Sequence, residues 1–231
     1  MALTNLAHFG EVRLTNVILL GYIWLMDNTE GSRAIKQTYK VRKSLALHLS
    51  TNQLAILLGS ILGDAHIHPQ GKICIEHGRK QKEYLLWKFS HLKSLAYPKV
   101  SRVVRFNKRI QKQTVSWRFF LRQYFRPLRN AFYCCKQKVV PPELKLWISP
   151  LLIAVWYMDD GHLDRGKYPS LMTDSFSEAD SLLLIKYLNY QFSLNSTLTN
   201  KGRILINSES RDSFFKIIKP YIHKSLFYKL P

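Results

Sequence analysis

The sequence predicts an α+β fold made of two αββαββα units related by a pseudo-twofold axis. Three observations carry that prediction. Two uncharged apolar helices each end in a carboxylate, Asp64 and Asp160, 96 residues apart. The same order of elements follows each of them. The chain is 231 residues long, enough for two lobes of about 100 residues. At 46% hydrophobic and 13% aromatic it can bury a sizeable core and does not read as disordered.

Residues 1–49 read as an N-terminal extension, 50–141 as the first unit and 142–231 as the second. The first unit opens with a capping box, Ser50 with Gln53, ahead of the apolar run Leu54–Gly63 and then Asp64. A strand-like Lys72–Glu76 and a helical Tyr84–Lys93 follow. Val100–Phe106 and Val115–Arg122, rich in β-branched and aromatic residues, flank the polar Asn107–Lys112 as a hairpin. A helix-like Pro127–Tyr133 and Lys138–Pro141 close the unit. The second unit opens with Ser149 as N-cap and Pro150 in the first turn, then Leu151–Met158 and Asp159-Asp160-Gly161. Strand-like Tyr168–Asp174, helical Ser181–Leu188, strands Ser196–Leu198 and Arg203–Asn207, helical Ser213–Lys219 and Lys229–Pro231 complete it. Each of the two apolar helices is uncharged along its body and must be buried on several sides. Gly59 and Gly63 form a small-xxx-small pair that allows close approach of a second helix.

Charge narrows the function classes. Thirty-five Lys and Arg against 15 Asp and Glu give a net charge of +20, so the expected partner is polyanionic, a nucleic acid or an anionic membrane surface. The apolar run Val17–Met26 is too short to span a bilayer, and a transmembrane protein is not expected. Between Ala65 and Glu143, that Glu excluded, 18 basic residues face only Glu76 and Glu83, whereas 151–200 is slightly acidic. Concentrated charge of one sign is the footprint of phosphate binding. Arg102, Arg105, Arg118 and Arg122 stud the expected hairpin, an element that fits the major groove of duplex DNA. Cys74, Cys134 and Cys135 suit neither a disulfide framework nor a zinc knuckle and read as reduced, partly buried thiols of an intracellular protein. His66 and His68 lack a third ligand and read as turn or strand surface. The N-terminus has neither the order of a secretory signal nor the composition of a transit peptide.

The helix ends carry the chemistry. Unpaired carbonyls at a helix C-terminus repel an anion, so a carboxylate there needs a cation nearby. If the two helices pack side by side, Asp64, Asp160 and several backbone carbonyls converge on one volume, and such oxygen donors suit hard divalent ions such as Mg²⁺.

With these motifs the chain resembles the two-motif, monomeric branch of the LAGLIDADG homing endonucleases. The motifs are Leu57–Ala65 (LLGSILGDA) and Ile153–Gly161 (IAVWYMDDG), matching the nine-letter name at four and three positions. Their pairing, their spacing and the endings Lys138-Val-Val-Pro141 and Lys229-Leu-Pro231 carry the resemblance, which spans about residues 50–231. It implies antiparallel β saddles forming a DNA-binding groove, with Asp64 and Asp160 as metal ligands beside Gly63 and Asp159. It implies Lys138 and Lys229 as active-site lysines, for which simple phosphate contact remains open as a second role. Glu76 and Asp174 stand where this branch often has a strand Gln. Target reading falls to Lys72, Arg79, Arg102, Arg105, Arg118, Arg122 and Arg203, and unlike lobes imply a long asymmetric target.

The implied activity is a Mg²⁺-dependent double-strand break in DNA that promotes intron homing, with Mn²⁺ as a substitute and Ca²⁺ binding without cleavage. The alternative is a splicing maturase that binds intron RNA on the same scaffold without cutting. A monomer, no membrane association, and expression in a mitochondrion or chloroplast are further expectations of the resemblance.

Overall fold

Two apolar helices lie at the centre of the molecule. The computed structural model describes residues 49–109 and 111–231; the expected extension, apart from Leu49, and the run Val17–Met26 lie outside them. Helix α1 (Thr51–Leu62) starts as the sequence predicts: Ser50 Oγ accepts from the Gln53 amide and the Gln53 side chain accepts from the Ser50 amide, both at 3.2 Å. Helix α4 (Pro150–Asp160) starts with Ser149 Oγ accepting from the Leu152 amide at 3.3 Å, with Pro150 in its first turn. Every residue of α1 from Leu54 on and every residue of α4 from Leu152 to Asp159 is buried. Absence of charge along both bodies as far as Leu62 and Met158 makes that burial possible, and the buried Asp159 has Lys88 as its partner.

The two helices pack on each other, and glycine permits it. A Cβ on Gly59 would stand 2.6 Å from the Leu152 carbonyl oxygen and 2.8 Å from Val155 Cβ; one on Gly63 would stand 2.5 Å from Asp159 Cβ. Val155 and Asp159 are the residues 96 positions after Gly59 and Gly63. Equivalent positions of the two units therefore meet at the helix contact, small on one side and larger on the other, as a pseudo-twofold axis requires.

Each central helix feeds an antiparallel sheet. The first holds β1 (His66–Ile67), β2 (Ile73–Gly78), β3 (Ser101–Asn107) and β4 (Lys112–Leu121) in the order β1-β2-β4-β3, with α2 (Lys82–Leu92) between β2 and β3. Helix α3 (Arg126–Phe132) and a small hairpin, β5 (Tyr133–Cys134) and β6 (Gln137–Lys138), follow. The second sheet holds β7 (Gly161–Asp164), β8 (Tyr168–Met172), β9 (Ser196–Leu198) and β10 (Arg203–Ile206) in the corresponding order β7-β8-β10-β9. Helix α5 (Glu178–Phe192) lies between β8 and β9, and α6 (Arg211–Ile218) follows β10. The offset persists beyond the helices: Ile67 pairs with Ile73, and Leu163 pairs with Pro169, each 96 residues on. Helix α5 also begins 96 residues after α2.

Local details depart from expectation. The strands β1 and β7 directly after the carboxylates are too short to show a period of their own. Strand β8 ends at Met172, so Asp174 is not a strand residue. Tyr133 belongs to β5 and not to the preceding helix. One continuous apolar core joins both units, from Leu54 to Leu226. No helix among the described residues is long and apolar enough to cross a membrane.

Candidate functional site

The ends of α1 and α4 supply the candidate centre. Gly63 caps α1 with its amide on the Gly59 carbonyl, and Gly161 caps α4 with its amide on the Tyr157 carbonyl. Other end carbonyls remain, and two lysines take them. Lys138 Nζ, on β6, donates to the Gly63 oxygen at 2.8 Å. Lys229 Nζ donates to the Met158 oxygen at 2.7 Å and the Asp159 oxygen at 3.2 Å. Tyr157 Oη in turn donates to the Lys229 carbonyl at 2.7 Å. A cation at a helix C-terminus is favourable, so the lysines that sequence places at the end of each unit sit on the motif helices. Burial lowers both ammonium pKa values against the pull of the nearby carboxylates.

Asp64, Asp160, Lys138 and Asp174 line one open cleft together with Gly63, His66 and Gln137. Burial pushes the Asp160 carboxyl up to about 7; Asp64 and Asp159 add to the rise, and Lys138 and Lys229 only partly offset it. Asp64 behaves oppositely. Burial pulls it up too, but the His77 contact and the charges of His77, Lys88 and Lys229 outweigh that and hold it below the ordinary carboxylate range.

Asp159 has a different environment. Its two oxygens each accept from Lys88 Nζ at 2.7 Å, and Tyr84 Oη donates to Oδ1 at 2.9 Å. Lys88 and the Asp159 side chain are both fully buried. An ammonium already neutralises this carboxylate, which places Asp159 in the core rather than among side chains facing the cleft. His77, also buried, stands between the carboxylates, with Nδ1 3.2 Å from Asp64 Oδ2 and Nε2 3.7 Å from Asp159 Oδ1. Asp64, His77 and Asp159 are the one cluster of three or more potential ligands among the described residues.

Sequence reasoning missed His77, Lys88 and Tyr84, yet each left a signal. Ile73, Ile75 and His77 share one strand face by period two, and that face is buried. Tyr84, Lys88 and Leu92 recur every four residues on the buried side of α2. A lysine on such a stripe needs a buried acid as partner.

Strand register sorts the basic residues. Arg118 pairs with Glu76 and Ser101, and Arg105 pairs with Thr114, so Glu76, Arg105 and Arg118 share the sheet face turned away from the core. Arg105 grips the Glu76 carboxylate with its two terminal guanidinium nitrogens, Nη1 and Nη2, and Ser116 donates to it as well. The Arg105 contact, chief among these, holds the Glu76 carboxyl below its ordinary range. Arg102 pairs with Trp117 and lies on the opposite face, so the arginines that stud the hairpin do not all share one surface. Arg122 lies past the end of β4, its Nε donating to the Ala96 carbonyl at 3.3 Å. Lys72 Nζ lies over the Phe120 ring at 3.8 Å, and Arg79 is exposed just beyond β2. In the second sheet Arg203 pairs with Met172, as Arg118 pairs with Glu76. The register therefore matches Glu76 with Met172, not with Asp174. Arg118 and Arg203, in matching places, each keep a buried Nε without a partner.

His66 and His68 stack edge to face at 5.1 Å beside Tyr133 and gather no third ligand. Cys134 and Cys135 are exposed on the β5–β6 hairpin, which corrects their expected burial.

Comparison with known proteins agrees with this geometry. The model of the LAGLIDADG DNA endonuclease family matches residues 54–214. The chain is 29% identical over 198 residues to the cytochrome b mRNA maturase bI2 of Debaryomyces hansenii, covering 79% of this chain and 74% of that protein. It is 25% identical over 210 residues to DNA endonuclease I-ChuI of Chlamydomonas applanata, covering 80% and 96%. Among solved structures, the homing endonuclease I-WcaI bound to its DNA recognition sequence superposes with a TM-score of 0.73 at 23% identity, over 92% of this chain and 97% of that one.

Proposed function

We propose that this chain, which belongs to the LAGLIDADG DNA endonuclease family, makes a divalent-metal-dependent double-strand break in a long, asymmetric duplex DNA target. The observation that carries the reading is the cleft in which Asp64 and Asp160, one from the end of each motif helix, meet Lys138. The boundary between the two units falls after Pro141, behind the hairpin that carries Lys138. Because both motifs lie on one chain, a monomer holds both halves of the centre.

The donor set fits hard cations. Carboxylate oxygens of Asp64 and Asp160 would hold them, with no thiolate in the cleft, whereas the Gly63 and Asp159 carbonyls expected beside them already accept from Lys138 and Lys229. When bound, divalent ions lower the pKa of water and stabilise the attacking and leaving oxygens of the displacement. Mg²⁺ is the expected ion, with Mn²⁺ able to replace it and Ca²⁺ able to bind without supporting cleavage. The protein's own contribution is position and charge. Lys138 and Lys229, anchored on the helix ends, stand where developing charge on a scissile phosphate would be stabilised. Asp174, exposed on the rim of the cleft, orients water there. Arg105, Arg118 and Arg203 face outward from the two sheets to read base edges, while Lys72 and Arg79 contact phosphates.

The test is incubation of the purified chain with DNA spanning the insertion site of its own gene, with and without Mg²⁺. Double-strand scission that needs the metal and is abolished by Asp64→Asn or Asp160→Asn is the expected result. A second reading, an intron-RNA maturase, is favoured by the relatives named cytochrome b mRNA maturase, at 29% identity. Tight RNA binding with no scission in any divalent metal would select it.

A further inference from the structure

We propose that His77 is a positioning residue for Asp64, backed by Lys88 and Asp159, and that it makes the two halves of the centre functionally unequal; this rests on the nuclease reading above. The offset of 96 that relates the motif helices, the β1–β2 and β7–β8 pairings and the starts of α2 and α5 assigns each residue of the first unit a counterpart. His77 corresponds to Thr173, Tyr84 to Asp180, Lys88 to Leu184 and Gly63 to Asp159.

None of these counterparts repeats the chemistry. Thr173 Oγ1 donates to the Gly202 carbonyl, away from Asp160. Asp180 closes a capping box with Ser177 and accepts from the Val140 amide at 2.8 Å. Leu184 is core. Asp64 thus has a buried imidazole beside it, and Asp160 has no equivalent partner from its own unit.

Two details assign His77 a positioning role. Its ring nitrogens are buried and make no well-aligned hydrogen bond to any group, and the acceptors within reach of them are the two carboxylates, Asp64 Oδ2 at 3.2 Å from Nδ1 and Asp159 Oδ1 at 3.7 Å from Nε2. Lys88 already supplies the cation for Asp159, with both oxygens at 2.7 Å, which leaves Nδ1–H free to donate to Asp64. A buried donor behind a carboxylate ligand fixes the direction in which its second oxygen points. Partners of this kind typically change metal affinity or activity by about 10–100-fold when removed.

The experiment uses the full chain and a duplex spanning its gene's insertion site, each strand carrying its own label, with Mg²⁺ for cleavage. Calcium titration calorimetry is run in parallel. His77→Leu is expected to slow cleavage of one strand by about 10–100-fold relative to the other, so nicked product accumulates, and to weaken one Ca²⁺-binding step by a similar factor. His77→Asn, which keeps a donor near the Nδ1 position, is expected to restore most of both. His77→Thr, the residue at the matching place in the second unit, is expected to behave like His77→Leu. Equal slowing of both strands, or failure of Asn to rescue a variant that still melts cooperatively, would overturn the proposal. If the wild-type chain cuts no DNA, the nuclease reading fails instead. Calcium binding then decides on His77, and identical isotherms for wild type and His77→Leu would refute it.

Discussion

Asp160→Asn should stabilise the protein while abolishing cleavage. The Asp160 carboxyl titrates near 7 in the folded chain against an ordinary 3.8, because burial and two neighbouring carboxylates oppose its ionisation. A folded pKa above the unfolded one means that the unfolded chain ionises first as pH rises. Stability is therefore lost between about pH 4 and 7 and does not return above that. Each tenfold change in proton affinity is worth about 1.4 kcal/mol, giving an upper bound near 4 kcal/mol. The group lies in an open cleft, and solvent screening reduces this to about 2 kcal/mol. For a chain of this size that is about 4–8 °C in melting temperature. Asn keeps the shape and removes the charge. Melting in chelator should show Asp160→Asn above wild type by that amount at pH 8, and by about a third of it at pH 5, where the folded carboxyl is protonated. Added Ca²⁺ at pH 8 should raise wild type by more than the variant, which keeps only the Asp64 side of the centre. A gap of equal size at both pH values, or no gap, would refute the electrostatic reasoning.

Helix contact, buried charge and the outward sheet face give further tests. Gly59→Ala puts a methyl 2.6 Å from the Leu152 carbonyl oxygen and should cost about 1–3 kcal/mol by denaturant unfolding, with partial relief from Val155→Ala. Lys88→Met leaves Asp159 buried without its cation and should cost about 3–5 kcal/mol, most of it recovered in the Lys88→Met/Asp159→Leu double variant. Arg118→Ala should weaken target binding by about 1–3 kcal/mol and relax preference at one base position, whereas Arg102→Ala, on the other face of the sheet, should leave that preference intact in a binding assay over variant targets.

What could be read from sequence depended on whether a signal was local. Ser50 with Gln53 and Ser149 with Pro150 announce their helices because a cap is made within four residues. Gly59 and Gly63 announce a helix contact because nothing else in an apolar run calls for two glycines at that spacing. Lys138 and Lys229 could be placed near the carboxylates only through the resemblance, and their grip on helix-end carbonyls was not legible. Register was harder still. Asp174 looked like the partner of Glu76, but a strand ending at Met172 moves it past the sheet, and the pairing of Met172 with Arg203 gives Glu76 a different counterpart. The same period-two rule that turns Arg105 outward turns Arg102 away, and it can be applied only once the phase of the hairpin is known.

The centre is built on balanced charge, and that balance explains why its two halves hold protons so differently. Asp64, Asp159 and Asp160 are met by Lys88, Lys138 and Lys229, three carboxylates with three ammonium groups. The matches are unequal. Lys88 is bonded to a carboxylate, whereas the described hydrogen bonds of Lys138 and Lys229 run to backbone carbonyls. Asp159 is thereby removed from the cleft's chemistry, and its charge, locked in the core, still raises the Asp160 carboxyl. Protons and divalent ions must then compete for Asp160 far more than for Asp64. Affinity for a cation on the Asp160 side should rise with pH through about 7, while the Asp64 side, kept below the ordinary carboxylate range, should be saturable well under that. Two-step Ca²⁺ isotherms at about pH 6 and pH 8, on either side of the Asp160 titration, would separate them. One step moving with pH and one holding still is the signature, and two steps moving together would show that the sites are equivalent after all.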